Sequence, residues 1–97
     1  MPVKEINKRQ SHIADVARVL KAMANEHRLL IISILTNGEM SVGRLNEKVP
    51  LSQSSLSQHL GRLRESGLVN IRRGGKSIYY SLRGEETAQV IALLNHT

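Results

Sequence analysis

The stretch LSQSSLSQHL, residues 51–60, places four serines, two glutamines and one histidine among leucines that recur at helical spacing. Hydroxyls and carboxamides donate and accept hydrogen bonds without carrying charge, which is the chemistry needed to read the edges of base pairs. At about 100° per residue, Leu56, Leu60 and Leu63 group on one side of a helix, with His59 at their margin. Gln53, Ser54, Ser57, Gln58 and Gly61 group on the opposite side, and Arg62 and Arg64 lie at its edges. A helix in a major groove brings its backbone close to the bases, so short polar chains suit its centre and arginines its flanks, where the phosphates run. Gly61 keeps that face flat, at a helical cost of about 1 kcal/mol relative to alanine. Taken alone, the same composition fits an ordinary solvated helix face. What surrounds it decides between the two.

Helices must position this face, and the pattern supplies them. Residues 1–10 are polar and read as a flexible tail, leaving 11–97 as one domain. From Ser11, Ile13, Val16, Ala17, Leu20, Met23 and Ala24 follow an amphipathic spacing. Asn25 is placed to cap a second helix that ends near Asn37-Gly38. Ser41 is placed to cap a third, with Val42, Leu45 and Val49 inward and Pro50 ending it. Ser52 caps the fourth, which Gly67 terminates. The period then changes from helical to alternating. Val69 and Ile71, then Ile78, Tyr80 and Leu82, flank RRGGKS and predict a β-hairpin turning at Gly74-Gly75. Such a turn sets Arg73 opposite Lys76, a like-charge pair that an anion would relieve. Arg72, Arg73, Lys76 and Ser77 are therefore candidates for phosphate contact, with a plain solubilising tip as the bland alternative. A last helix follows Glu85 and Glu86, with Val90, Ile91, Leu93 and Leu94 apolar. The predicted class is mainly α with a β-hairpin wing, in the order α-α-α-α-β-β-α. The short link between helices three and four, followed by a basic hairpin, is the layout of a winged helix-turn-helix. In that setting the serine-rich face reads as a DNA-reading surface.

Composition narrows the partners. Fourteen Lys and Arg against eight Asp and Glu give a net charge of +6 over 97 residues, which favours a polyanion. Two tyrosines with no Phe or Trp leave few stacking platforms for single strands or RNA, so duplex DNA is favoured. There is no cysteine, no apolar leader at the N-terminus and no apolar run long enough to span a bilayer, so the expectation is a cytoplasmic protein without a membrane. His12, His27, His59 and His96 are scattered, and no HExxH, G-x-S-x-G or GxxxxGK[ST] occurs. The expectation is no enzyme, no metal and no cofactor. Tyr79 and Tyr80, adjacent in a strand, point to opposite faces, and one belongs to the core. Ser33 falls within the apolar stripe of Leu29, Leu30 and Ile34 on the second helix.

The stretches LKAMANEHRLLIISIL and LSQSSLSQHLGRLRESGLVNIRRGGKSIYYSL resemble the ArsR/SmtB family of bacterial transcriptional regulators. The resemblance runs from about Leu20 to Leu82. Its most specific part is Ser52, Ser54, Ser57, His59 and Leu60 followed by a GLV-then-YY hairpin. It implies a homodimer that binds an inverted-repeat operator, usually as a repressor, until an inducer of unstated kind weakens binding. It also implies that the first and last helices form the dimer interface, through Ile13, Val16, Leu20, Ile91 and Leu94. KAMANE and LSQSSLSQHL look most like the HlyU/BigR-type subgroup, which senses sulfide or oxidants through one cysteine on the second helix and another near the end of the last. Ser33 stands where the first is expected, and the chain stops at Thr97, about where the second would follow. Either the member is naturally thiol-free, or a cysteine has been replaced by nearly isosteric serine and the tail trimmed; the second reading is slightly preferred. The family's third-helix metal positions correspond to Ser41 and Gly43, so its metal sites do not carry over. The competing class is a winged helix used as a protein-interaction module, which salt-insensitive, operator-blind behaviour would distinguish.

Overall fold

The computed structural model describes residues 3–94, with side-chain surroundings for 10–93; His96 and the side chain of Leu94 lie outside them. The elements run α1 (Val3–Met23), α2 (Glu26–Leu35), β1 (Met40–Ser41), α3 (Val42–Lys48), α4 (Gln53–Glu65), β2 (Val69–Gly74), β3 (Ser77–Leu82) and α5 (Glu86–Leu94). This is the mainly helical, hairpin-bearing order expected from the sequence, with one strand added. Helix α1 also reaches back to Val3, into the segment expected to be a flexible tail. Lys4, Glu5, Lys8, Arg9 and Gln10 are good helix formers, and no glycine or proline interrupts them.

The caps set the other boundaries. The Asn25 carboxamide oxygen accepts from the backbone N–H groups of His27 and Arg28, at 3.0 and 3.1 Å, at the start of α2. The Ser41 and Ser52 hydroxyls each accept one N–H at 3.2 Å, from Arg44 and Ser55. Between α3 and α4, the Asn46 amide donates to the Leu51 carbonyl at 2.9 Å and fixes the turn. Helix α4 ends in a Schellman arrangement. Leu68 N–H reaches the Leu63 carbonyl at 3.0 Å, Gly67 N–H reaches that of Arg64, and Gly67 supplies the required φ of 76°.

The missed strand is short. Met40 pairs with Tyr80 and Ser41 with Tyr79, giving an antiparallel sheet in the order β1-β3-β2. Two residues carry too little alternation to announce a strand; the existing edge of β3 recruits them.

The hairpin turns one residue later than expected. Gly74 pairs with Ser77, Arg73 with Ile78 and Arg72 with Tyr79, so the loop is Gly75-Lys76. Gly75 has φ 59° while Lys76 is not at positive φ. That is the glycine-first, type II′ pattern, as opposed to the type I′ turn that two central glycines would make. The expected opposition of Arg73 and Lys76 is thereby avoided.

The core draws on every helix. Ile31 and Ile32 of α2, Leu45 of α3 and Leu56, Leu60 and Leu63 of α4 are essentially inaccessible, and Met23, Leu68, Val69, Tyr80 and Ile91 pack with them. On α1 the inward residues are Val19, Ala22 and Met23, while Ile13, Val16 and Leu20 face outward.

Candidate nucleic-acid interface

Helix α4 divides along its length as its period requires. Leu56, Leu60 and Leu63 are buried, and Gln53, Ser54, Ser57, Gln58, Arg62 and Arg64 are exposed. The Ser54 hydroxyl lies 3.3 Å from the capping hydroxyl of Ser52, and Ser52 in turn donates to Ser55 at 3.0 Å. Gln53, Ser57, Gln58 and the remaining lone pairs of Ser54 are open to solvent.

The wing comes to the same place. A cleft of about 380 Å³ between α3, α4 and the hairpin is lined by Gln53 and Ser57 of α4 and by Lys76 and Ser77 of the hairpin, with Ser41 and Gly43 also at its walls. Two groups of residues singled out separately, some twenty positions apart by sequence number, thus share one surface. Arg73, Lys76 and Ser77 are exposed at the tip.

Arg72 behaves differently from its neighbours. Its Nε and Nη2 donate to the two carboxylate oxygens of Glu39 at 3.0 and 2.7 Å. Its guanidinium also lies 4.4 Å from the centre of the Tyr79 ring. A Cβ at Gly74 would meet that guanidinium at 2.9 Å and the ring at 3.1 Å, so the bare glycine makes the stack feasible. Bidentate pairing holds the Glu39 carboxyl below its ordinary range and raises the Arg72 guanidinium. This candidate for phosphate contact braces the middle of the wing through an exposed ion pair. Glu39, which the sequence offered no reason to single out, is its anchor.

Arg28 was also not anticipated. It spans from α2 to two other elements: its Nε donates to the Ala22 carbonyl at the end of α1, and its Nη1 approaches His59 Nδ1 of α4 at 3.3 Å. An arginine can only donate, so His59 accepts through Nδ1 and carries its proton on Nε2. The His27 ring stands 5.6 Å away. Burial, then the charges of Arg28, His27 and Arg62, push the His59 imidazole below its usual value. His59 sits at the margin of the α4 core face, as its position on the wheel implied, but as the acceptor in a helix-to-helix bridge.

The remaining candidates separate. Ser33 is half-buried on α2, and its carbonyl accepts from the Thr36 hydroxyl at 2.6 Å. Ile13, Val16 and Leu20 form an exposed stripe, whereas Ile91, expected beside them at a subunit interface, is buried within the single chain because α5 packs that side against α2. Val90 and Leu93 take the outward positions on α5. Among the described residues no group of three or more His, Asp or Glu side chains is placed to hold a metal.

Comparison with known proteins matches residues 25–70 to the bacterial regulatory proteins of the arsR family. The transcriptional activator HlyU of Vibrio cholerae is 45% identical over 86 residues, spanning 89% of this chain and 80% of HlyU. The chain belongs to the arsR family. The structure of reduced HlyU from Vibrio cholerae covers 90% of this chain and 92% of its own, with a TM-score of 0.82 at 45% identity. The repressor BigR from Xylella fastidiosa covers 97% and 93%, with a TM-score of 0.79 at 39% identity. As an arsR-family member related to the HlyU and BigR group, the protein is a DNA-binding transcriptional regulator and not an enzyme. No helix among the described residues is long and apolar enough to cross a membrane.

The Arg28–His59 contact has a consequence for pH. With a folded-state pKa below about 6.5, His59 binds protons more readily in the unfolded chain. Its contribution to stability is present above that value and is lost as pH falls through the lower folded-state pKa. His59→Asn, whose amide oxygen replaces Nδ1 as acceptor, should show a shallower loss of stability on acidification than the wild type. Urea denaturation near neutrality and near pH 5 makes the comparison, and parallel curves would remove His59 from the account.

Proposed function

We propose that the chain acts as a homodimer on an inverted-repeat operator, one α4 in each of two successive major grooves, with half-sites about 34 Å apart. The observation that carries this reading is the single cleft into which Gln53 and Ser57 of α4 and Lys76 and Ser77 of the wing converge. In it Gln53, Ser54, Ser57 and Gln58 read base edges. Arg62, Arg64, Arg73, Lys76 and Ser77 meet phosphates, and Arg72 holds the wing at the angle that lets its tip do so. Two helical glycines support a close external approach. A Cβ added at Gly61 or at Gly43 would meet nothing of the chain within 4 Å, so internal packing gives no reason for either.

Exposed apolar side chains support the second copy. Ile13, Leu20 and Leu93 are 64%, 54% and 79% exposed, and Val16, Leu20 and Val90 line a groove of about 260 Å³ between α1 and α5. Apolar side chains exposed on two helices of so small a chain favour burial against a partner. A two-fold copy also supplies the symmetry that an inverted repeat requires.

The direction of control we take to be repression, through occupation of the operator. By name BigR is a repressor and HlyU an activator, so a reporter assay with and without the protein reads the sign. Within these 97 residues there is no cysteine, so a thiol switch of the kind the subgroup suggests has no sulfur to act on, and Ser33 occupies the position in question.

Affinity for the DNA upstream of its own gene, compared with random duplex across a salt series, tests the reading. A preference of about a thousandfold or more with a steep salt slope is expected; equal affinities, or no salt dependence, would overturn it. Gln58→Ala should cost about 1–3 kcal/mol of sequence preference if its base contact is bidentate, and equal losses on operator and random duplex would contradict base reading. Arg73→Ala should weaken both complexes alike and flatten the slope. Gly61→Ala should stabilise the free protein by up to about 1 kcal/mol while weakening operator binding; improved binding would mean that no surface approaches α4 there.

A further inference from the structure

On the flank of α4 away from the wing lies a pocket of about 350 Å³ between α1, α2 and α4. Arg18, Lys21, Arg28 and Arg62 line it, and Glu65 is its one carboxylate. Arg18 is partly matched by Asp15, at 3.0 Å on the exposed side of α1. Among the described residues, Lys21, Arg28 and Arg62 have no carboxylate within ion-pair distance. The other pocket-lining polar group, the Ser66 hydroxyl, is spent on the Arg62 carbonyl at 2.9 Å.

Arg28 is fixed before any ligand arrives. Its donations to Ala22 and His59 hold the guanidinium in one orientation across three helices. Burial first, and then the proximity of Arg62, lower its pKa. A guanidinium held in place, partly desolvated and facing other cations is a destabilising arrangement unless an anion joins it. Guanidinium donors in a fixed fork match the oxygens of a tetrahedral oxyanion, with lysine adding a point charge. Simple solvation does not account for the geometry, because a solvated arginine would point outward from the helix ends.

We infer that the Arg18–Lys21–Arg28–Arg62 pocket is a binding site for a phosphoryl-type oxyanion, filled either by a backbone phosphate of bound duplex or by free phosphate or sulfate. The first source rests on the function proposed above. It is favoured by continuity, because Arg62 and Glu65 also line a depression with Gln58 and Gly61 of the reading face. The pocket would then grip the strand that passes the C-terminal half of α4, opposite the side served by the wing. Bound there, the anion would also set the electrostatics at His59 through Arg28.

The test uses the full chain. Inorganic phosphate is titrated at constant ionic strength, with chloride as the compensating salt, while the His59 side-chain resonances are followed by NMR. A saturable shift with phosphate and none with chloride is expected, and the Arg18→Ala/Lys21→Ala double variant should lose it. That variant leaves α4 and the Arg28 bridges intact, whereas Arg28→Gln would remove two interhelical hydrogen bonds and confuse binding with folding. Salt-dependent affinities for operator and random duplex then separate the sources. If a backbone phosphate fills the pocket, the double variant weakens both complexes and the salt slope drops by about 0.9 for each phosphate released. If a free oxyanion fills it, the slope is unchanged and the saturable phosphate shift stands. A shift that persists in the variant, or no shift together with an unchanged slope, overturns the site. A wild type that binds phosphate but shows no preference between duplexes would overturn the proposed function and leave the pocket standing.

Discussion

The seating of α4 on Leu56, Leu60 and Leu63 is the constraint on which the rest of the molecule depends. These three side chains are essentially inaccessible and meet Ile31 and Ile32 of α2 and Leu45 of α3 in one small core. Rotating α4 about its axis would expose leucine and bury serine or glutamine, so its outward face is set by the hydrophobic effect rather than by any polar contact. Each fully buried leucine is worth about 1.5–3 kcal/mol, more than the cap and turn hydrogen bonds around it. A helix with so few charges at its centre keeps its outward face because its orientation is enforced from behind.

Polar contacts then do the finer work, and they do it over long sequence separations. Glu39 braces Arg72, and through Arg72 and Tyr79 the middle of the wing is tied to the connection between α2 and β1. Arg28 ties the end of α1 and the start of α2 to His59 of α4. Both ties are exposed or half-buried, so their role is better described as positioning than as stability. The first ties the wing, and the second lines the pocket between α1, α2 and α4.

The distribution of charge follows the same division. Arg72 is paired with Glu39; Arg73 and Lys76 remain at the tip without a described carboxylate partner. A one-residue change in the turn separates these roles, since it places Arg72 against Tyr79 and leaves Lys76 within the loop. The apolar surface divides in a comparable way. Helix α1 turns Val19, Ala22 and Met23 to the core and offers Ile13, Val16 and Leu20 to the outside.

Whatever depends on neighbours along the chain was legible in the residues themselves. The helix caps at Asn25, Ser41 and Ser52, the terminating Gly67, the leucine face of α4 and the alternating strands of the wing all follow from helical or two-residue periods and local hydrogen bonding. So does the succession of a serine-rich helix and a basic hairpin. Tertiary structure decided what no local pattern encodes. It placed the turn at Gly75-Lys76 and not at Gly74-Gly75, a choice the alternation leaves open because either turn keeps Val69, Ile71, Tyr80 and Leu82 on one face. Recruitment of Met40 and Ser41 to a sheet edge, burial of Ile91 against α2 and the pairing of Arg28 with His59 and Arg72 with Glu39 were decided there too. Those last two contacts join residues 31 and 33 positions apart, and only packing of the core brings such partners within hydrogen-bonding reach.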